Sequence, residues 1–200
     1  MKVTAIQQQV KRPERYSIFI DGKFSFGLSE AAVLASKLSI GQEYNAQELA
    51  ELKETARADK AYNQTLGLLA RRARSEWEIR DYLKRKDYEP DLVEQTVERL
   101  KGRNYVNDEA FARAWVDNRR LLKATSKRRL SQELRQKRVS YETIAVVLEA
   151  DETDEREVLK ELVVRKRKQS RYQDDNKLTQ YLIRQGFNYG DVKAVIEELS

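Results

Sequence analysis

The chain has 200 residues, 39 Lys and Arg against 33 Asp and Glu, a net charge of +6 at pH 7, and neither Cys nor His. Those absences exclude disulfide scaffolds, Cys/His zinc sites, thiolate nucleophiles and every catalytic arrangement that turns on an imidazole. The seven glycines, at 22, 27, 41, 67, 102, 186 and 190, form neither G-x-G-x-x-G nor G-x-x-x-x-G-K-[ST], so the common phosphate-cradling loops are missing as well. Leu, Ile, Val and Phe number 49, enough for a core, and 36% charged residues against a usual ~25% favour well-exposed helices. No run approaches the roughly 18 apolar residues of a membrane span, and MKVTAIQQQVKR lacks the apolar stretch of a signal peptide, so the expected compartment is the cytoplasm, with no membrane partner.

In chain order, Tyr16-Ser-Ile-Phe-Ile and Lys23-Phe-Ser-Phe-Gly flank Asp21-Gly22, the dipeptide favoured by a two-residue turn whose central residues need positive φ, which predicts a hairpin over 15–27. Val3 to Gln9 supplies a third strand, with Arg12-Pro13-Glu14 as its connecting loop. Ser29 caps a helix to about Leu38, and residues 46–58 resume as helix.

Beyond residue 58 three segments align without gaps on Ile79, Leu83, Tyr88, Val93, Val97, on Leu130, Leu134, Val139, Ile144, Leu148, and on Leu178, Leu182, Phe187, Val192, Ile196, each with spacings of 4, 5, 5 and 4. Ser75, Ser126 and Asp174 stand four residues before each first anchor as helix caps, and the five-residue step breaks the helical rhythm with a turn. Earlier helices at about 60–73, 108–122 and 154–169 complete each unit, and Phe111, Trp115 and Leu122 form the core face of the second. The expectation is a mainly α protein: an N-terminal β-hairpin and helices over 1–58, then three tandem three-helix repeats at 59–107, 108–153 and 154–200, stacked as an elongated curved body.

The charge is uneven. Residues 109–150 carry 10 basic and 5 acidic side chains, hence five of the six excess charges, and from Arg119 to Arg138 nine cations meet only Glu133. A second run is Arg165, Lys166, Arg167 and Lys168, with Arg171 just beyond. Such clusters mark a polyanionic or acidic partner. Helical spacing puts Arg119, Arg120 and Lys123 on one side of the first helix of repeat 2, with Lys127, Arg128 and Arg135 following on the next, and these six rank ahead of the second run. Reversing Arg119, Arg120 and Lys123 to Glu is expected to leave the fold intact.

A metal-dependent nuclease built on Asp151, Glu152, Asp154 and Glu155 is conceivable, but a contiguous acidic run at a repeat junction reads better as helix cap and solvated surface. A sequence-specific DNA reader would want an Asn/Gln/Arg cluster on one short helix, which no unit shows. What remains is a binding protein, not an enzyme, needing neither metal nor cofactor.

Leu68-Leu-Ala-Arg-Arg-Ala-Arg-Ser-Glu-Trp-Glu-Ile-Arg, Tyr105-Val-Asn-Asp-Glu-Ala-Phe-Ala-Arg-Ala-Trp-Val, Arg129-Leu-Ser-Gln-Glu-Leu-Arg-Gln-Lys and the hairpin end Phe26-Gly-Leu-Ser closely resemble the RecX regulatory proteins over nearly the whole chain. The resemblance implies tandem three-helix repeats and a regulator that binds the RecA recombinase filament on DNA and mostly inhibits it; separately, nothing in the sequence indicates a dimer, and a monomer is expected. Weak, sequence-tolerant binding of single-stranded and double-stranded DNA is expected beside it. The alternative is a non-enzymatic DNA-binding protein or transcription regulator using its basic helices. Two family glycines are replaced, by Ala124-Thr125 before the middle helix of repeat 2 and by Arg138 in its turn, which removes glycine's ready access to positive φ there, whereas Gly186 keeps it in repeat 3.

Overall fold

A computed structural model describes residues 1–199. It opens with a three-stranded antiparallel sheet, β1 (Val3–Gln9), β2 (Arg12–Ile20) and β3 (Lys23–Ser29), in spatial order β1-β2-β3. Asp21 and Gly22 both hold positive φ, 48° and 78°, as the two-residue hairpin requires. Period-two alternation turns Ile18, Ile20, Phe26 and Leu28 inward with Val3. The β1–β2 connection is tighter than the sequence suggested: the chain turns at Val10-Lys11, and Arg12-Pro13-Glu14 belongs to β2 rather than to a loop. Proline is tolerated in this central strand because β3 pairs with β2 only from Arg15 onward, and the β1 register shifts between Gln8 and Gln9 opposite it.

Helix α1 (Glu30–Ser36) starts at the Ser29 cap, whose hydroxyl accepts from Ala32 N. Helix α2 (Ala46–Leu69) begins at Asn45 with a reciprocal cap, Asn45 accepting from Glu48 N and Glu48 from Asn45 N. The separate helices expected at 46–58 and 60–73 are therefore one. Nothing at Ala58-Asp59-Lys60 stops it, because Asp59 turns toward the sheet instead of capping a new helix. Its Oδ1 accepts from Ser29 Oγ at 2.5 Å and Asn63 Nδ2 at 2.8 Å, and its Oδ2 from Ser29 N at 2.8 Å and Arg15 Nη1 at 3.4 Å. This buried carboxylate fastens the helix to the strand that carries Phe26-Gly-Leu-Ser.

Then follow α3 (Glu76–Lys84), α4 (Pro90–Gly102), α5 (Asp108–Leu122), α6 (Lys127–Gln136), α7 (Tyr141–Glu149), α8 (Glu155–Arg167), a 3-10 turn at Ser170–Tyr172, α9 (Asp175–Arg184) and α10 (Tyr189–Glu198). Of the fifteen aligned anchors all but Tyr88 and Leu148, which are half-buried, lie in the interior. Leu122 does not join its core and is 66% exposed. At fifteen residues, about 22 Å at 1.5 Å per residue, α5 outruns the nine- and ten-residue helices it packs on. The chain divides into two compact units, Met1–Ala73 with Ile79–Tyr105, and Arg74–Glu78 with the residues from Val106 onward.

The recurring caps do more than start helices. Ser75, Ser126 and Asp174 accept from Glu78 N, Arg129 N and Lys177 N respectively. Ser75 Oγ also donates to the Lys137 carbonyl, and Ser126 Oγ to the Gln185 carbonyl, 2.8 and 2.7 Å away. In the repeat alignment these are the same bond made twice, from one middle helix to the end of the next. A hydroxyl can accept and donate at once, whereas an ionised carboxylate only accepts. Both serines are completely buried; Asp174, in the last repeat, is exposed.

The turn residue of each repeat is left-handed: Asp87, Arg138 and Gly186 have φ of 57°, 59° and 94°. Arg138 thus adopts the glycine conformation without glycine. Ala124 and Thr125 have no positive φ, so the other replaced glycine asks nothing unusual of the backbone.

Candidate functional site

Repeat 2 folds because Leu130 and Leu134 of α6 bury with Phe111, Ala112 and Val116 of α5 and Ile144 and Val147 of α7. That arrangement decides which basic side chains of the Arg119–Arg138 stretch are free, and five of the nine are not. Glu133 accepts from Arg119 Nε at 2.7 Å and from Trp115 Nε1 at 2.9 Å, and Arg129 lies 3.7 Å from its other oxygen. The Arg119 guanidinium stacks 4.7 Å from the Trp115 ring centre. Lys137 pairs with Glu78 at 2.8 Å.

Arg120 turns its guanidinium away from solvent. Its Nη2 and Nε reach Asp151 Oδ2 at 2.5 and 3.1 Å, its Nη1 reaches the Thr125 carbonyl at 2.5 Å, and the paired side chains are only 12% and 7% exposed. Lys127 Nζ donates to the Asp151 carbonyl at 2.7 Å, and Lys127 N to Glu155 at 2.7 Å. Burial works against the charge on Asp151, but hydrogen bonds from Arg120 and Thr153 outweigh it and hold the carboxyl below the usual Asp range. The expectation of a solvated face spanning Arg119, Arg120 and Lys123 therefore fails for the two arginines, since helical spacing places a side chain on a face but is silent about distant carboxylates that meet it. Three of the four acids of the run are engaged in the fold: Asp151 binds Arg120, Asp154 caps α8 through Arg156 N, and Glu155 takes Lys127 N, while Glu152 is exposed.

Lys123, Arg128 and Arg135 are exposed and without an ion-pair partner among the described residues, and Arg138 joins them. Arg128 lines a cleft of about 380 Å³ between repeats 2 and 3, beside Gly186 and Phe187, with Glu155 and Asp191 also in its wall. In repeat 3, Arg165 and Lys168 are exposed and without an ion-pair partner among the described residues. Arg167 pairs with Asp175 at 2.6 Å, and Lys166 Nζ sits 4.7 and 5.5 Å from the ring centres of Tyr181 and Tyr172. Of the ten candidate cations, five are thus presented freely to solvent and five are engaged. Counting charge by segment also passes over Arg12, Lys60, Arg71 and Lys86, which come from separate stretches and meet only in the folded first unit.

Comparison with known proteins bears on the whole chain. Residues 1–45 match the regulatory protein RecX N-terminal domain, 61–100 the RecX first three-helix domain and 107–148 its second. The chain belongs to the RecX family. Regulatory protein RecX of Listeria welshimeri is 33% identical over 97% of this chain and 74% of its own length, and that of Bacillus subtilis 28% identical over 98% and 76%. A crystal structure of regulatory protein RecX superposes with a TM-score of 0.74 at 27% identity, covering 98% of both chains. RecX from Lactobacillus salivarius, at 23% identity, shares the fold over 71% of this chain and 96% of its own with a TM-score of 0.62. The first two three-helix units read from the apolar spacing overlap the first and second three-helix domains of this family, and among the described residues no helix is long and apolar enough to cross a membrane.

Proposed function

We propose that this RecX-family chain binds the RecA filament on DNA and modulates it, mostly as an inhibitor of recombination, without catalysing a reaction. The observation that carries the reading is the set of cations on repeat 2 without an ion-pair partner among the described residues, Lys123, Arg128 and Arg135 with Arg138, standing on a chain related over nearly its full length to regulatory RecX proteins. Cations not neutralised by their own fold are the ones available to DNA phosphates or to acidic protein surface. Binding to bare single- or double-stranded DNA is weak, sequence-tolerant and salt-sensitive in this reading, and the protein acts in the cytoplasm as a monomer. In this reading its parts are 1–58, 59–107, 108–153 and 154–200, with α2 shared between the first two. The test is RecA's DNA-dependent ATPase and strand exchange with this protein titrated in, repeated on preformed filaments. Inhibition in both supports a filament regulator. A footprint on one DNA sequence that survives high salt, with no effect on RecA, would favour a transcription regulator.

A further inference from the structure

The first unit carries a basic hollow that charge counting along the chain cannot find. Residues 1–58 have 8 basic and 7 acidic side chains and residues 59–108 have 11 and 10, close to balance. Folding nevertheless brings Arg12 of β2, Lys60 of α2, Arg71 just beyond α2 and Lys86 just beyond α3 around one concavity of about 420 Å³. All four are exposed, and none has an ion-pair partner among the described residues. The lone carboxylate in the wall is Glu14; Arg15, the fifth cation, is already held by Asp59 and the Gly27 carbonyl.

We propose that this hollow binds the phosphodiester backbone of a nucleic-acid strand, independently of the cations on repeat 2. Four unpaired cations around a concavity concentrate positive potential, because field lines focus where low-dielectric walls curve around charge. Their convergence from separate elements distinguishes the hollow from a solvated helix face, where like charges spread outward. The remaining wall suits a nucleotide better than an acidic peptide. Gln64 accepts from Tyr88 Oη through its side-chain oxygen, which leaves its amide nitrogen as a donor, and the half-buried Tyr82, also in the wall, is an aromatic side chain of the kind on which bases stack.

Gly67 gives a test that removes no existing contact. It lies in the wall within α2, and a side chain there meets open space. Gly67→Glu plants a carboxylate among the cations, and Gly67→Gln is its uncharged counterpart of equal size; both improve helix propensity. The measurement is fluorescence anisotropy of the full chain with a labelled single-stranded oligonucleotide across a salt series, beside a Lys60→Glu/Arg71→Glu/Lys86→Glu variant and circular dichroism. The expected result is at least tenfold weaker binding for the triple variant, a log–log salt slope flatter by about two for roughly three lost contacts, and weaker binding by Gly67→Glu than by Gly67→Gln. Unchanged affinity and slope in both folded charge variants would overturn the proposal. So would intact oligonucleotide binding by the triple variant together with lost inhibition in a separate RecA strand-exchange assay, which would assign the hollow to an acidic protein surface. RecA is absent from the binding assay, so failure here leaves the filament reading standing, and failure of that reading leaves this result interpretable.

Discussion

The basic stretch of repeat 2 and the hollow of the first unit reverse each other's appearance in sequence. The stretch has nine cations against one acid, yet the fold spends five of them on Glu133, Asp151 and Glu78 and on the Asp151 carbonyl. The hollow draws on segments that are nearly neutral, yet collects four cations with no ion-pair partner among the described residues. Linear charge density is a property of neighbours in the chain, whereas available charge is what remains after distant carboxylates have chosen partners. Asp151 is 31 residues from Arg120 and Glu78 is 59 from Lys137.

The sharpest way to break this comparison is Arg120→Glu. It sets a second carboxylate against Asp151, whose side chain is 7% exposed, and should cost about 3 to 5 kcal/mol in urea or thermal unfolding, as loss of one partner in a buried pair does. Acid should act on the same pair in the wild type. The Asp151 carboxyl is held below its ordinary value of 3.8, so its pairing stabilises the fold above about pH 4 and is lost as pH falls through the lowered value. A wild-type melting temperature in Arg120→Glu would return this arginine to the solvated face.

Leu134→Ala should cost about 2 to 5 kcal/mol, because Leu134 is completely buried and its truncation leaves a cavity among Phe111, Leu130 and Ile144. Its slot recurs as Leu83 and Leu182, also fully buried, so equilibrium unfolding of all three truncations checks the repeat alignment slot by slot.

Much of the architecture was legible for that reason. Apolar spacing and cap position are local and repeat three times, so each copy supports the others, and Asp21-Gly22 carries its turn geometry in two residues. What was illegible depended on partners far along the chain. The continuity of α2 through Asp59 rests on contacts with Arg15 and Ser29, and the exposure of Leu122 on the length of neighbouring helices. The hydroxyl bonds from Ser75 and Ser126 lie between these extremes. Serine where the last repeat has aspartate was a visible signal, read only as a cap. For the candidate interface, residue type was legible and availability was not.

The left-handed turns sharpen the comparison between repeats at smaller energies. At Gly186 an added Cβ would lie 2.5 Å from Ser126 Oγ and 3.2 Å from Arg129 N at a φ of 94°, so Gly186→Ala should cost about 1 to 3 kcal/mol. Arg138 holds φ of 59° with a side chain already present, and Arg138→Gly should raise stability by only about 0.5 kcal/mol, relief of the backbone being offset by a freer unfolded chain. Paired denaturation curves check the opposite signs; a destabilised Arg138→Gly would mean that the arginine contributes a contact that outweighs its backbone.

The smallest effect on stability should come from the residues that matter most for function. Lys123, Arg128 and Arg135 are exposed and unpaired, so reversing all three to Glu should change unfolding free energy by no more than about 0.5 kcal/mol each. The same reversal turns three attractions toward a negatively charged partner into repulsions, and like-charge contacts across an interface can cost several kcal/mol. Strand-exchange inhibition should then need at least tenfold more protein. Including Arg119 or Arg120 in such a variant would confound the result, because their loss disrupts Glu133 and Asp151 inside the fold. A folded Lys123→Glu/Arg128→Glu/Arg135→Glu protein that inhibits RecA as well as the wild type would remove these three cations from the interface and leave Arg165 and Lys168, the exposed members of the 165–168 run without an ion-pair partner among the described residues, as the cations to reverse next.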